Sequence, residues 1–447
     1  MNANGQIQSN PDSARRPRIL LLAYACSPYR GSEFAVGWGR ALETAKRYET
    51  WLICGPESEP DIERYVAENG APERLHFYFP ELEVNRSLWR RLPELYAHNY
   101  IALWLWHRRA YRLAERLHRA LRFDLAHHVN ITGFREPGYL WRLDAPFIWG
   151  PMSGTQNLPW RFLPALGGAG AVKEAIRGLI NRAQLYLSLR VRRAAYSAAA
   201  VIAANTQIQR EFARAQGISP LLLLETGLHR VKETPERKSR EDETLRLLWC
   251  GELKAFKGLP LLLEALAQLP PGVRFELCVL GKGPMRRKWQ AMAESLGLGE
   301  CCRWRGFVPY AEIMREYDQA DVFIFTSLRD TSGNVMLEAL SRGVPVIGPA
   351  HQGAGDIITS ECGIRIPAPT PREFIAGLRD AIARLATDRR ELEALSHGAL
   401  DRARFYLWSR NGEQMDEIYR KVLAASGRSY QAANAGREVM SDVIHAQ

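Results

Sequence analysis

Short apolar segments alternate with amphipathic segments along the second half of the chain, and this alternation limits the fold more than any other feature. The apolar segments are of strand length, and most of their positions are apolar, as in strands covered on both faces. The order indicates a parallel sheet with helices on both faces, an α/β fold. Strands are predicted at 245–250, 275–280, 322–326 and 344–347, with helices at 258–269, 285–296 and 333–341.

The first half shows the same order, less regularly. A strand at 19–23 leads into the turn-rich loop 27–33, a helix to about residue 47 and a strand at 50–54. This β-loop-α-β unit predicts a second parallel sheet with a right-handed crossover. Further strands are predicted at 124–130, 146–150 and 198–203, and the stretch 85–122 has a helical pattern.

A charged run almost without apolar residues, 229–244, separates the two halves and predicts a linker. Two Rossmann-like parallel-sheet domains would face each other across a cleft, with ligands at the carboxyl ends of the strands. The predicted order is a disordered tail, a first domain, the linker, a second domain, a last helix and a tail: 1–17, 18–228, 229–244, 245–409, 410–425 and 426–447.

Composition excludes several classes of protein. Of 447 residues, 46% are apolar and 24% charged, a globular mix that excludes a disordered chain or a small disulfide scaffold. The seven cysteines form no C-x-x-C pair, which favours a reducing, cytoplasmic compartment. Arg15-Arg16 before an apolar run superficially resembles a signal peptide, but the run leads into a glycine loop, so a buried strand is favoured.

The stretch 326–340 carries the most specific chemistry. It runs from a predicted strand into a helix with Gly333 near its start. Because glycine has no side chain there, an anion can approach the backbone N–H groups closely. Asp330 precedes the helix and Glu338 follows eight positions later. A buried carboxylate beside a phosphate must face hydroxyls, and a ribose diol is the natural candidate. The alternative is an amphipathic helix with one surface acid.

Two further loops lie at predicted strand ends. Lys254 and Lys257 precede a helix start, an arrangement that binds diphosphates, although two solvated surface lysines would give the same pattern. The Gly281-x-Gly283-Pro284 sequence is a weaker signal, because a simple turn also explains it.

Taken in order, these motifs resemble the retaining glycosyltransferases of family four, or group 1, which have the GT-B fold. The family signature E-x-x-G-x-x-x-x-E-A corresponds to Asp330-x-x-Gly333-x-x-x-x-Glu338-Ala339. Gly31-Ser32-Glu33, Gly306-Phe307-Val308 and Lys257-Gly258 also match. The resemblance implies two facing Rossmann-like domains, with the C-terminal helix crossing back onto the first domain.

The resemblance also implies a reaction and a site. A sugar would pass from a nucleotide-diphosphate sugar to an acceptor with retention at the anomeric carbon, and the sequence has no D-x-D motif of metal-dependent transferases. No cofactor or metal is therefore expected, and the nucleotide sugar is a co-substrate. The implied catalytic residues are His128, Lys257 and Asp330, and the implied donor-binding residues are Gly31, Glu252, Lys254, Gly281, Val308, Gly333, Asn334, Val335 and Glu338.

Three positions depart from the family pattern. Asp330 stands for the usual Glu, Glu252 for the usual Arg beside the diphosphate, and Thr226-Gly227 for Asn-Gly. Asp330 and Glu252 leave open an alternative function, a non-catalytic GT-B scaffold or regulatory partner of a glycan-assembly complex. An NAD-binding enzyme is disfavoured, because no full G-x-G-x-x-G follows the first strand.

The family often places a histidine at the strand end where this chain has His127 and His128. Successive strand residues point to opposite faces, so at most one of the two faces the cleft. His128 is favoured for that role, and a core histidine bonded to backbone is the alternative for either residue.

The net charge of +11 is concentrated in the first half of the chain. Nine arginines and two glutamates between Arg86 and Arg122 give that stretch +7, interleaved with Trp89, Trp104 and Trp106. Such helices often lie on anionic bilayers, which predicts a peripheral enzyme at the inner face of the cell membrane with a glycan or lipid-linked acceptor. Nucleic acid is disfavoured, since no nucleic-acid motif occurs; a solvated basic face over an aromatic core is the other alternative.

Overall fold

The computed structural model describes residues 15–80, 96–131, 133–235 and 244–427, with only the backbone of 96–100 and Ala311. Two parallel sheets organise these residues into two domains, which confirms the predicted GT-B-type α/β architecture. The predicted tails fall mostly outside the described residues, as do the middle of the linker and the first part of the Arg-rich stretch.

The first sheet has seven strands in the order β3-β2-β1-β4-β5-β6-β7. Its strands are β1 (Arg18–Ala23), β2 (Glu49–Ile53), β3 (Leu75–Tyr78), β4 (Leu125–Asn130), β5 (Phe147–Met152), β6 (Ala200–Ala203) and β7 (Leu221–Leu222). Its helices are α1 (Glu33–Ala45), α2 (Glu59–Asn69), α3 (Tyr96–Leu121), α4 (Gly168–Leu187), α5 (Leu189–Ser197) and α6 (Thr206–Gln216).

The second sheet has six strands in the order β10-β9-β8-β11-β12-β13. Its strands are β8 (Leu245–Cys250), β9 (Phe275–Leu280), β10 (Cys302–Gly306), β11 (Val322–Ile324), β12 (Val346–Pro349) and β13 (Gly363–Ile366). Its helices are α7 (Leu259–Leu266), α8 (Arg286–Ser295), α9 (Tyr310–Gln319), α10 (Asn334–Ser341), α11 (Gln352–Ile357), α12 (Pro371–Thr387) and α13 (Arg389–Arg404); α14 (Trp408–Ala425) follows.

Strand order reverses direction once in each sheet, between β1 and β4 and between β8 and β11. At such a switch point the connecting helices leave on opposite faces, and a crevice opens at the carboxyl ends of the two strands. Every residue of β4, β5, β11 and β12 is buried, as expected for central strands covered on both faces. The fold therefore offers one crevice in each domain.

Helix α14 returns from the second domain and packs on the first. The Tyr48 hydroxyl donates to Asp416 at 2.6 Å, and the buried Arg40 guanidinium donates to Asn411. Tyr419 is buried in the core of the first sheet. These contacts fasten α14 to α1 and to the turn before β2.

A second crossing runs the other way and was not expected from the sequence. Residues Trp160–Leu166 form a 3-10 helix between β5 and α4, within the predicted first domain. Yet Phe162 is 0% exposed in the core of the second domain, with its ring 6.3 Å from that of Phe374 on α12. The two cores are thus joined by a segment internal to the first domain.

Candidate functional site

A cavity of about 370 Å³ lies between the two domains, at the switch points of both sheets. Side chains from the carboxyl ends of β1, β4 and β5 form one wall, and those following β8 and β11 form the other. The residues that matter to its chemistry are Glu33, Arg135, Gln156, Arg177, Lys257 and Asp330. Both domains therefore supply charged groups to one space.

A larger cavity, of about 730 Å³, lies at the opposite, amino end of the second sheet, beside Arg246, Glu276 and Glu316. Its size does not make it the functional site. Ligands of open α/β sheets bind at the carboxyl ends of strands, where loops and helix N-termini converge.

Lys257 and Asp330 form an ion pair in the smaller cavity, with Lys257 Nζ 2.5 Å from Asp330 Oδ2. Each residue follows its strand within a few residues, and β8 and β11 are neighbours, so the topology brings the two together. Gly258 allows the tight turn after Lys257, because its φ is 69° and an added Cβ would lie 2.4 Å from the carbonyl oxygen of Thr326. The cation is therefore held at the mouth of the second crevice.

The Asp330 loop is also fixed by amide contacts. The backbone N–H of Asp330 donates to the Gln352 side chain at 2.6 Å, and Gln156 of the first domain donates to Thr331 Oγ1 at 2.6 Å. These two contacts position the Asp330 loop, and neither of them uses a carboxylate oxygen of Asp330.

Helix α10 begins beside this loop. Gly333, with φ of 65°, occupies the N-cap, and an added Cβ would lie 2.9 Å from the Met336 side chain. The N–H groups of Asn334 and Val335 begin the helix, so the positive end of its dipole lies at the crevice. This arrangement suits an anion.

Glu338 lies one turn further along α10. The Tyr317 hydroxyl donates to its Oε2 at 3.3 Å. Burial raises the pKa of Glu338 to about 7, partly opposed by that hydrogen bond. A carboxyl group in this environment gains by accepting hydroxyl hydrogens.

Gly281 and Val308 end the neighbouring strands. At Gly281 φ is 129°, and an added Cβ would lie 1.9 Å from the carbonyl oxygen of Gly251. Val308 is buried in the core that contains Tyr317 and Met336. The close approach of the Gly251 backbone therefore explains why position 281 is a glycine.

Glu252 and Lys254 do not line the cavity. They pair with each other at 2.9 Å, and both side chains are about half exposed. Lys254 therefore neutralises the acid that replaces the family's arginine. Gly31 is exposed with open space around it, and the neighbouring Glu33 lines the cavity instead.

The structure brings in residues that motif spacing did not reveal. Arg135 and Arg177 of the first domain and Arg329 of the second line the cavity. Glu225 accepts a hydrogen bond from the Ser332 hydroxyl at 2.6 Å, and burial raises its pKa to about 7. The only sequence signal for Arg177 is the basic charge of the stretch Lys173 to Arg193, which has six Lys or Arg against one Glu. Nothing in the sequence indicates Glu225.

The prediction that His128 faces the cleft is wrong. Both histidines are fully buried, and neither lines the cavity. His127 donates through Nε2 to the Gly150 carbonyl at 2.6 Å and accepts from Tyr419 at 2.6 Å, while His128 packs edge-on against His107. A strand covered by helices on both faces leaves neither direction open, so alternation alone could not place either ring at the cleft.

The expectation that Trp106 anchors a membrane helix is also wrong. Trp106 is 0% exposed and packs edge-on against Tyr24. Trp104 is half-buried, with the Arg108 guanidinium 4.8 Å from its ring. Helix α3 thus presents arginines over an aromatic core, and Trp89 lies outside the described residues.

Two kinds of feature are absent from the described ranges. No cluster of three or more His, Cys, Asp or Glu side chains there is arranged to hold a metal ion. In the same ranges, none of the helices combines the length and the apolar character needed to cross a bilayer.

Comparison with known proteins gives three kinds of match. The family described as glycosyl transferases group 1 matches residues 231–394. The putative colanic acid biosynthesis glycosyltransferase WcaL of Salmonella typhimurium is 31% identical over 144 residues, 30% of this chain and 36% of WcaL. The D-inositol 3-phosphate glycosyltransferase of Corynebacterium glutamicum is 27% identical over 182 residues, 39% of this chain and 43% of that protein. The chain thus spans less than half the length of these curated relatives.

Solved structures match over nearly the whole chain. HepE of Anabaena, in complex with UDP and glucose, has a TM-score of 0.58 at 16% identity and covers 91% of this chain and 100% of HepE. The lipopolysaccharide outer core galactosyltransferase WaaB, in its apo form, has a TM-score of 0.61 at 15% identity and covers 90% and 99%. At such identities the likeness concerns the fold. Residues 231–394 thus resemble the group 1 glycosyltransferases, and the arrangement of both sheets is that of the GT-B fold.

Proposed function

We propose that this protein transfers a sugar from a nucleotide-diphosphate sugar to a glycan or lipid-linked acceptor, with retention of anomeric configuration and without a metal ion. The observation that carries the proposal is the Lys257–Asp330 pair in the interdomain cavity, beside the N-terminus of α10. The solved complex of HepE with UDP and glucose supports the same class of donor.

The chemistry follows from where charge develops. As the bond between the anomeric carbon of the sugar and the diphosphate oxygen breaks, negative charge grows on the leaving diphosphate. The Lys257 ammonium and the amides of Asn334 and Val335 would stabilise it, because preorganised donors act most strongly on charge that appears in the transition state. No nucleophile of the chain is required, and the sugar passes through an oxocarbenium-like state.

The remaining donor contacts are assigned by the same logic. Glu338 would accept the ribose hydroxyls, and Asp330 the sugar hydroxyls, one C–C bond short of the usual glutamate. Arg135, Arg177 and Arg329 line the cavity, so they would supply the positive charge that the chain lacks at Glu252.

The acceptor and the compartment complete the proposal. The colanic acid and lipopolysaccharide enzymes among the relatives favour a cell-surface polysaccharide or glycolipid as the product. All seven cysteines are free thiols, which suits a reducing cytoplasm.

The test is a thermal-shift screen of nucleotide sugars, followed by turnover with the stabilising donor. Titration calorimetry of the matching nucleoside diphosphate then compares Glu338→Ala with wild type, and Glu294→Ala serves as an exposed control. We expect Glu338→Ala to weaken binding by ~1–3 kcal/mol, the usual cost of removing a hydrogen-bonding partner. If no donor stabilises the protein or is turned over, the scaffold alternative replaces the enzyme.

A further inference from the structure

Helix α4 is amphipathic with its polar face turned inward. Asn181 is buried and donates to the Thr155 carbonyl at 2.8 Å, and Arg177 pairs with Glu174 at 2.6 Å against the wall of the cavity. These three polar side chains, which a surface helix would usually show to solvent, are bonded within the protein.

The opposite face of α4 is apolar and exposed. Its residues recur at spacings of three and four, so they share one side of the helix. Leu179 is 71% exposed and Leu187 77%. Val172, Ile176, Ile180 and Tyr186 are also exposed on α4, and Trp160 and Leu189 are exposed beside it. Single exposed apolar residues are normal, whereas a contiguous row marks an interaction surface.

The charge around this row identifies its partner. Between Asp144 and Glu211 the one acidic residue is Glu174, which is directed inward and paired. Lys173 and Arg182 are exposed on α4, and Arg192 and Arg193 on α5. A second copy of the same surface would set these cations against each other, which disfavours a symmetric dimer. An anionic bilayer offers apolar depth and negative charge together.

We propose that the exposed face of α4, with Trp160 and the cations of α5, docks on the surface of an anionic lipid bilayer. The membrane contact is thus assigned to this surface and not to α3, because the indole ring of Trp106 on α3 lies in the core. The apolar side chains enter the interface, Trp160 sits at headgroup depth, and the cations meet anionic headgroups.

The docking surface also narrows the acceptor class, an inference that rests on the proposed function. Arg177 lines the cavity from the inner face of the same helix whose outer face meets the bilayer. A substrate anchored in that bilayer therefore reaches the cavity across the width of one helix, about 10–12 Å. The acceptor is a lipid-anchored glycan rather than a freely diffusing sugar.

The experiment is vesicle flotation of the full chain with phosphatidylcholine alone and with added phosphatidylglycerol, at low and high salt. Three variants are compared: Ile176→Gln/Leu179→Gln/Ile180→Gln on the apolar face, Lys173→Gln/Arg182→Gln/Arg192→Gln/Arg193→Gln in the cations, and Arg108→Gln/Arg112→Gln/Arg116→Gln/Arg119→Gln on α3. The last removes the same charge from an exposed basic helix and is the matched control. Thermal unfolding checks that each variant is folded.

We expect wild type to float with anionic vesicles and the control to retain most of that binding. The apolar-face variant should lose about tenfold or more at both salt concentrations. The cation variant should lose a similar amount at low salt, and its remaining binding should not depend on salt. The proposal is overturned if wild type binds no vesicles, if the control loses as much as the cation variant, or if the apolar-face variant binds like wild type.

Sedimentation of wild type and the apolar-face variant tests the other possible partner of this surface, a second copy of the chain. A wild-type dimer that the variant abolishes, without vesicle binding by either, would make the surface a self-association site and overturn the bilayer. Stabilisation by nucleotide sugars in the absence of vesicles, measured by thermal shift, tests the proposed function independently. Vesicle binding by a protein that no nucleotide sugar stabilises would reject the enzyme and leave the docking surface in place.

Discussion

Two carboxyl groups, Glu225 and Glu338, have pKa values raised to about 7 by burial. For Glu225 the neighbouring Glu33 and Asp330 carboxylates add to the shift, while the Ser332 hydroxyl opposes it. If the proposed donor binds beside these carboxyls, its binding depends on their protonation. The ligand-free protein should show this sensitivity in its stability.

The pH dependence of stability has a definite sign at Glu225. Its pKa is about 7 in the folded protein against 4.5 when unperturbed, so between these values the folded state binds more protons. Stability therefore falls as pH rises through this window, and the cost is complete above about pH 7. We expect the Tm of Glu225→Gln relative to wild type to rise by ~2–4 °C between pH 5 and pH 8.

The difference from wild type is the quantity to measure in that experiment, by scanning calorimetry across pH. Buried His127, whose pKa is lowered to about 3, destabilises the fold in the opposite direction as pH falls below its unperturbed 6.5. Its contribution cancels in the difference. A difference that stays flat from pH 5 to pH 8 would contradict the assignment.

Lys257 is the residue whose loss should affect the reaction most. Lys257→Ala removes the cation 2.5 Å from Asp330 and the charge proposed to meet the leaving diphosphate. We expect kcat to fall by ~10²–10³-fold, the range measured when one transition-state donor is removed. Lys257→Arg should recover part of the rate, and Lys288→Ala, exposed on α8, is the control. A Lys257→Ala enzyme within twofold of wild type would move the chemistry elsewhere.

At the scale of elements, close approach of chains limits the loops around the site. The loop after β9 passes so near the loop after β8 that a Cβ at Gly281 would lie 1.9 Å from the Gly251 carbonyl oxygen. The loop after β8 borders the crevice between β8 and β11, so a shift in either loop should change the geometry of the proposed donor site.

Gly281→Ala should therefore destabilise the second domain and weaken the donor site together. The backbone conformation alone, at φ of 129°, is strained for alanine by ~1–3 kcal/mol, and the clash adds to it. Denaturant unfolding measures the loss, with Gly299→Ala as a control whose added Cβ meets only the Glu294 side chain at 3.8 Å. Equal midpoints for the two variants would rule out the close approach.

Sequence periodicity predicted the central strands well, and β8 and β9 have the predicted bounds. A buried run bounded by turn residues has few other conformations available. The outward apolar face of α4 was not predicted, because periodicity shows which side of a helix is apolar but not whether that side faces the core or the solvent. Likewise, residue types could not show that Glu225 and Asp330 would meet near one cavity from positions about a hundred residues apart.

At the scale of the whole molecule, hydrogen bonds across the cleft hold the two domains together. Asn205 of the first domain donates to the Thr331 carbonyl at 2.8 Å. Thr206 donates to Asp356 through both its backbone N–H and its hydroxyl, each at 2.6 Å. The Asp356 carboxylate thus lies at the N-terminus of α6, where the helix dipole favours it.

Asp356→Ala should open the molecule. It removes two hydrogen bonds to a charged acceptor, each of which typically contributes ~1.5–3 kcal/mol. We expect a larger radius of gyration by small-angle scattering, faster amide exchange at the start of α6 and a higher KM for the donor. Asp380→Ala, exposed on α12, is the control; scattering and exchange identical to wild type would show that other contacts alone hold the domains.

The segment that carries Phe162 into the core of the second domain would have to deform when the cleft opens. Phe162 is anchored in one domain and Asn181 in the other, so the chain between them must absorb any rotation that widens the cleft. Gly167 and Gly168 lie in that stretch with open space around them, and an added Cβ there would touch nothing within 4 Å. We therefore expect these two glycines to act as a flexible joint, so that widening of the cleft would tilt α4. Binding of the outer face of α4 to a bilayer would then influence the tilt of this helix and, with it, the width of the cleft.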